Sequence, residues 1–321
     1  MNIKKNKTLG IGIVLFCGMV WGLSGVLGQI LFQCSNITAG WLSSFRMLFS
    51  GICILTLSFI KKEPTLCKVW KNKKDILSLF IFSICGLMAV QYTYFAAVST
   101  SNAATATVLQ YTYPVLMLLY TSISTRHFPS VYEILSIIFA FLGVILISTH
   151  GNIHSLSISK IALFWGLLSA FSFVFYTVYP KKLFQQIGIM PIMGWAFIIG
   201  GLTLSIITKS YQTTIFFTTS SVILIILITV VGTLIPFLIY SIGVQILGNV
   251  KASLIVTVEP VMSAILAFFL VNQRFKWIDV IGFFCIIGAV QFVAFLTLRE
   301  KKRLDKTLNI GNLQKKPHEH S

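Results

Sequence analysis

The sequence predicts an all-α membrane protein of ten transmembrane helices, built as two five-helix repeats of inverted topology. Three observations carry that prediction. Of the 321 residues, 56% are hydrophobic and only 10% charged, with a mean hydropathy of +0.88; no soluble core hides so much apolar surface. A shift of 146 residues lays Gly86–Val115 on Gly232–Val261 without a gap. It pairs Gly86 with Gly232, Tyr94 with Tyr240, Val98 with Val244, Ala106 with Ala252, Pro114 with Pro260 and Val115 with Val261. Finally, Lys and Arg gather in the short stretches between apolar runs, and mostly in alternate ones.

The first repeat, residues 9–149, holds spans at Leu9–Phe32, Ile37–Ile60, Ile76–Val98, Ala103–Ser122 and Val131–Thr149. The second, residues 161–298, holds Ile161–Tyr179, Pro191–Thr208, Val222–Ile246, Val250–Val271 and Trp277–Leu298. Each is of a length to cross a hydrocarbon core of about 30 Å. The basic start, Met1–Lys7, leads into span 1 without a small-residue cleavage site, so it reads as a retained span rather than a removed signal peptide. Residues 299–321 form a polar tail expected to be cytoplasmic and without a packed core. An odd number of spans per repeat turns the second repeat over relative to the first. Secondary transporters use that symmetry for alternating access around a site near the midplane.

Charge orients the bundle. With the N-terminus inside, 20 Lys and Arg lie on the inner side and 4 on the outer, and Arg46 falls within span 2. That bias places both termini in the cytoplasm. The net charge of +17 is therefore a topology signal carried by loops, not a nucleic-acid face. The partners expected are the lipid bilayer and a small-molecule substrate.

Candidate site residues are polar groups at depth. Glu259-Pro260 interrupts span 9 near its middle, and a carboxylate in hydrocarbon must face a cavity, a partner or the protein interior. Pro260 and its repeat mate Pro114 each remove a backbone hydrogen bond and are the hinge candidates. Glu259 and Arg46 each sit about nine residues into their spans, from opposite ends, so both lie roughly 14 Å deep. Equal depth permits an ion pair that fixes helices. It equally permits Glu259 to bind a substrate ammonium or a coupling proton, with Arg46 its partner or a carboxylate site. Gln91 and Tyr94 are three apart on span 3, as are Gln110 and Tyr113 on span 4, so each pair shares a face. Together with Tyr240 and Trp21 they can line a polar cavity whose rings attract ammonium groups; singly, each is equally an interhelical packing residue. Glu133 and Asp279 open spans 5 and 10, where an acid suits the positive end of a helix dipole.

The order of these motifs resembles the drug/metabolite transporter superfamily, in its ten-helix branch with two EamA-type domains. The resemblance rests on Trp21-Gly22, Phe45-Arg46, the run Asn102-Ala103-Ala104-Thr105-Ala106 before Pro114, Glu259-Pro260 and the acidic start of span 10. It implies export of amino acids, other small metabolites or drug-like compounds, usually without ATP. Such proteins commonly carry a glutamate thirteen residues after each proline; here those positions are His127 and Gln273.

Other chemistries find little support. Gly22-Leu23-Ser24-Gly25 matches the G-x-S-G of rhomboid intramembrane proteases, but all five histidines lie outside the spans, so the serine has no base there. No C-x-x-C, H-E-x-x-H or phosphate-binding loop is present, and no metal or cofactor is expected. A scramblase or passive channel is a third class, separated from a coupled carrier by concentrative uptake in vesicles.

The orientation is tested by single cysteines on a background lacking the native ones. Ser35→Cys, Ser101→Cys and Tyr211→Cys react with an impermeant thiol reagent from outside, and Asn72→Cys does not. Reversed labelling would overturn the orientation, and labelling at all four sites the span count.

Overall fold

The computed structural model describes residues 7–126, 131–149, 158–247, 252, 255–289, 291, 292 and 295. Among these there is no β-strand, and ten helical rods follow one another, five in each half. They are α1 (Lys7–Cys34), α2 (Ala39–Ile60), α3 (Lys73–Thr100), α4 (Ala103–Gln110 and Tyr113–Thr125) and α5 (Val131–Thr149). The second half has α6 (Lys160–Gln186), α7 (Ile189–Ile207), α8 (Thr219–Ile226, Leu227–Leu234 and Ile235–Leu247), α9 (Val258–Val271) and α10 (Trp277–Ala289).

The rods outrun the apolar runs because hydropathy marks the hydrocarbon core, whereas a helix continues until its end groups are capped. Helix α3 starts at Lys73, not Ile76, because the Asn72 side chain accepts from Lys74 N–H. Helix α8 starts at Thr219, not Val222, behind a reciprocal cap between Thr218 and Ser221. Asn102 caps α4 through Thr105 N–H at 2.8 Å, and Gln29 of α1 accepts from Ala103 N–H at 2.8 Å. The small-residue run after Asn102 is thus pinned to α1 as well as packed against it.

Two departures from regular helix recur at repeat-related places. Phe82–Met88 of α3 and Leu227–Leu234 of α8 are π-helical, and the 146-residue shift lays one on the other. Turns at Tyr111–Thr112 and Val256–Thr257 break the chain just ahead of Pro114 and Pro260. A proline has no N–H for the carbonyl four residues back, so a break ahead of each proline is where the backbone loses a helical bond.

The packing obeys the same shift. Helix α1 lies on α8 and α9, and their mates α6, α3 and α4 repeat those contacts; α2 on α8 is matched by α7 on α3. Three pairs of mates touch each other directly: α2 with α7, α4 with α9, and α5 with α10. A pseudo-twofold axis therefore runs through those pairs. The outside is apolar, with Phe59, Ile123, Phe216, Phe269, Trp277 and Phe284 all more than 70% exposed. Such a surface belongs against lipid.

Close helix approach uses missing side chains. A Cβ on Gly22 would sit 2.8 Å from the Glu259 carbonyl oxygen and 3.0 Å from Ser263 N. Gly25 and Gly28 similarly admit Tyr94 and Phe95 of α3, and Ser24 is covered by Gly232 of α8. The G-x-S-G stretch is accounted for by this packing. Gly22→Ala is expected to push α1 off α9 and cost about 1–3 kcal/mol. Gly12→Ala, which meets nothing within 4 Å, should be neutral. Thermal unfolding of the purified protein compares them; equal melting points would refute the contact.

Candidate functional site

Glu259 lies in the first turn of α9 and is buried at the contact between α4 and α9. Pro260 leaves the Val256 carbonyl without its helical donor. Two groups replace it: Glu259 N–H, at 2.9 Å, and the hydroxyl of Tyr111 from α4, also at 2.9 Å. The same Tyr111 oxygen lies 2.9 Å from Glu259 Oε2. Tyrosine has one hydroxyl hydrogen, so it serves either the carbonyl or the carboxyl at a given moment. When Tyr111 donates to Val256, a close bond to Oε2 requires the proton on Glu259. When Glu259 is ionised, Oε2 takes the tyrosine hydrogen and the carbonyl keeps Glu259 N–H. The hydrogen-bond pattern at the α9 break thus depends on whether Glu259 carries a proton.

Aromatic rings enclose this centre. Tyr111 meets Tyr113 edge-on at 5.7 Å, and Tyr113 lies against Phe173 of α6 at 4.3 Å. Trp21 of α1 packs on Tyr240 at 5.1 Å and Phe237 at 5.7 Å, both from α8. The Tyr94 hydroxyl bonds Thr107 of α4 at 2.9 Å. Gln110 donates to Ser169 of α6 at 2.6 Å. The break at Tyr111–Thr112 places Gln110 and Tyr113 on separate helical pieces, yet both address α6. The Pro114 side chain lies outside the described residues, as do Glu133's side chain and His127. Asp279 accepts from Lys276 N–H at 2.9 Å and so caps α10.

Arg46 is buried on α2 and bonds elsewhere. Its Nη2 donates to Gln91 Oε1 of α3, and its guanidinium lies 4.5 Å from the Phe95 ring centre. Arg46 and Glu259 therefore take separate partners rather than each other. Equal depth in a bilayer does not imply adjacency around a ten-helix bundle.

Sequence reasoning singled out Tyr113, the repeat mate of Glu259, and missed Tyr111. The available signal was backbone accounting. Pro260 orphans the carbonyl of Val256, and α4 is the rod that its symmetry mate α9 must touch across the axis. Any hydroxyl on α4 near its own proline break was then a candidate donor.

Comparison with known proteins places these features in a family context. The EamA-like transporter family model matches twice, at residues 8–149 and 160–295. The chain is similar to "Uncharacterized inner membrane transporter YicL" of Salmonella typhimurium, at 36% identity over 90% of this chain and 96% of that protein. It is similar at 24% identity to "Uncharacterized transporter YetK" of Bacillus subtilis, over 93% of this chain and 90% of that one. A crystal structure sharing 14% identity has the same fold, with a TM-score of 0.64 over 92% of this chain and 99% of its own.

The Tyr111 contact yields a coupling test. Tyr111→Phe is expected to cost about 0.5–1.5 kcal/mol, the range for one lost hydrogen bond, since the Val256 carbonyl keeps Glu259 N–H. Pro260→Ala restores an N–H to the Val256 carbonyl, so Tyr111→Phe should cost less by about 0.5 kcal/mol or more in that background. Thermal unfolding of the four proteins measures the cycle, and strict additivity would show that the hydroxyl does not serve that carbonyl.

Proposed function

Because this chain belongs to the EamA-like transporter family, we propose that it is a secondary transporter that exports small organic metabolites such as amino acids, by alternating access. It works in the cell membrane with both termini cytoplasmic, and Glu259 exchanges a proton for a substrate ammonium. The observation that carries this reading is the Glu259–Tyr111–Val256 arrangement at the α9 break. There a titratable carboxyl is wired to the backbone of a discontinuous helix on the pseudo-twofold axis. A proton gained or lost at that point changes which hydrogen bond holds the break, so chemistry and helix geometry are linked. Pro114 and Pro260 act as the paired hinges, since mated breaks on α4 and α9 let the two halves exchange conformations.

A second reading, export of drug-like organic cations, is favoured by the rings of Tyr111, Tyr113, Tyr240 and Trp21 around a carboxylate. Metabolite profiles of medium from cells with and without the protein separate the two. Amino-acid enrichment supports the first, resistance to toxic cations without such enrichment supports the second, and neither effect refutes both.

Coupling is tested with Glu259→Gln, which keeps the shape and removes the titration. The variant is expected to lose pH-gradient-driven accumulation in vesicles while keeping counterflow between equilibrated compartments. Loss of both activities assigns Glu259 to binding or structure, and wild-type behaviour removes it from the mechanism.

A further inference from the structure

Arg46 poses a problem of unmet donors. Among the described residues its Nε and Nη1 have no hydrogen-bond partner, and neither has Nε2 of Gln91, although both side chains are more than 90% buried. The three orphaned atoms are all donors. A charged donor left unmade in a protein interior is expensive, and more so in a membrane. A water molecule would satisfy some of them but would bring two hydrogens of its own to a donor-rich cluster. A carboxylate brings acceptors alone, and its two oxygens match the planar fork of a guanidinium.

The residues around the pair fix its orientation without meeting these donors. Phe95 covers one face of the guanidinium, which leaves its edge as the direction of hydrogen bonding. Gln91 Oε1 fixes Nη2 and thereby turns its own amide nitrogen outward from that bond. Ser43 of α2 donates to the Gln91 backbone carbonyl at 3.3 Å, which ties α2 to α3 beside the pair.

Symmetry argues that packing does not require these residues. The 146-residue shift carries Arg46 to Ile192 and Gln91 to Phe237, and both belong to an apolar cluster drawn from the two halves. The same scaffold position is therefore filled without charge, in one repeat, by an aliphatic chain and a ring. Placing a guanidinium and an amide at the other copy adds chemistry and no fold.

We propose that Arg46 and Gln91 form the recognition site for a carboxylate group of the transported substrate. Its physiological meaning rests on the carrier reading above, but carboxylate binding is measured without transport, so the two fail separately. The experiment is thermal unfolding of the purified full-length protein in detergent, at constant ionic strength. The probes are L-amino acids each beside its carboxamide, short-chain monocarboxylates, and chloride. The expected result is that one or more carboxylates raise the melting temperature and their amides do not. Arg46→Gln should weaken that binding roughly 10- to 100-fold, and Gln91→Leu, which keeps the charge, roughly tenfold. Because Arg46→Gln alone can alter folding, Arg46→Lys supplies a charged control that keeps the cation but loses the fork. It should bind more weakly than the wild type. The proposal is overturned if no carboxylate stabilises the wild type, if amides or chloride do so equally, or if Arg46→Gln and Gln91→Leu leave the shift unchanged.

Discussion

The carbonyl of Val256 is the constraint on which the centre of this molecule depends. Pro260 denies it a helical donor, and in a bilayer no bulk water replaces the lost bond. Its satisfaction by Tyr111 and by Glu259 N–H ties α4 to α9 at the pseudo-twofold axis. It also fixes where Glu259 enters, since the carboxyl shares the tyrosine oxygen with the carbonyl. Backbone accounting thus determines the position of the most consequential side chain. Gly22 completes the arrangement from the third side by letting α1 reach the Glu259 backbone.

Scaffold and chemistry follow different rules in the two halves. The π-helical stretches, the proline breaks and the helix contacts all repeat under one shift. The buried charges Glu259 and Arg46 do not. Glu259 is mated with Tyr113, and Arg46 with Ile192. An inverted repeat needs matched frames so that either half can adopt the other's conformation, but a substrate is not itself symmetric. One-sided charges on a two-sided frame meet both needs.

The fold was legible because its determinants are local and additive. Hydropathy marks spans, and a gapless shift exposes the repeat. The site was legible only in part. Depth along a helix can be counted from the sequence, which singled out Glu259 and Arg46 as candidates. Angle around the bundle cannot be counted that way, so an Arg46–Glu259 pair looked as available as the Arg46–Gln91 bond that forms. Tyr111 was hidden for another reason. Its importance comes from a carbonyl 145 residues away, orphaned by a proline, and the face-sharing rule that drew attention to Gln110 and Tyr113 assumes a continuous helix. The break at Tyr111–Thr112 removes that assumption at the very place it was used.

The separate placement of Arg46 and Glu259 bears on how transport would be driven under the proposed reading. A substrate ammonium and a proton compete for one carboxyl, because either satisfies Glu259 and both together do not. Competition of that kind exchanges a proton for a substrate, which is what outward pumping driven by an inward proton gradient demands. A carboxylate held by Arg46 and Gln91 takes no part in the competition, since neither partner needs to gain or lose a proton for it to bind. Coupling and selection are then assigned to different ends of the substrate. Variation at Arg46 or Gln91 would change what is carried, while variation at Glu259 or Tyr111 would change how it is driven.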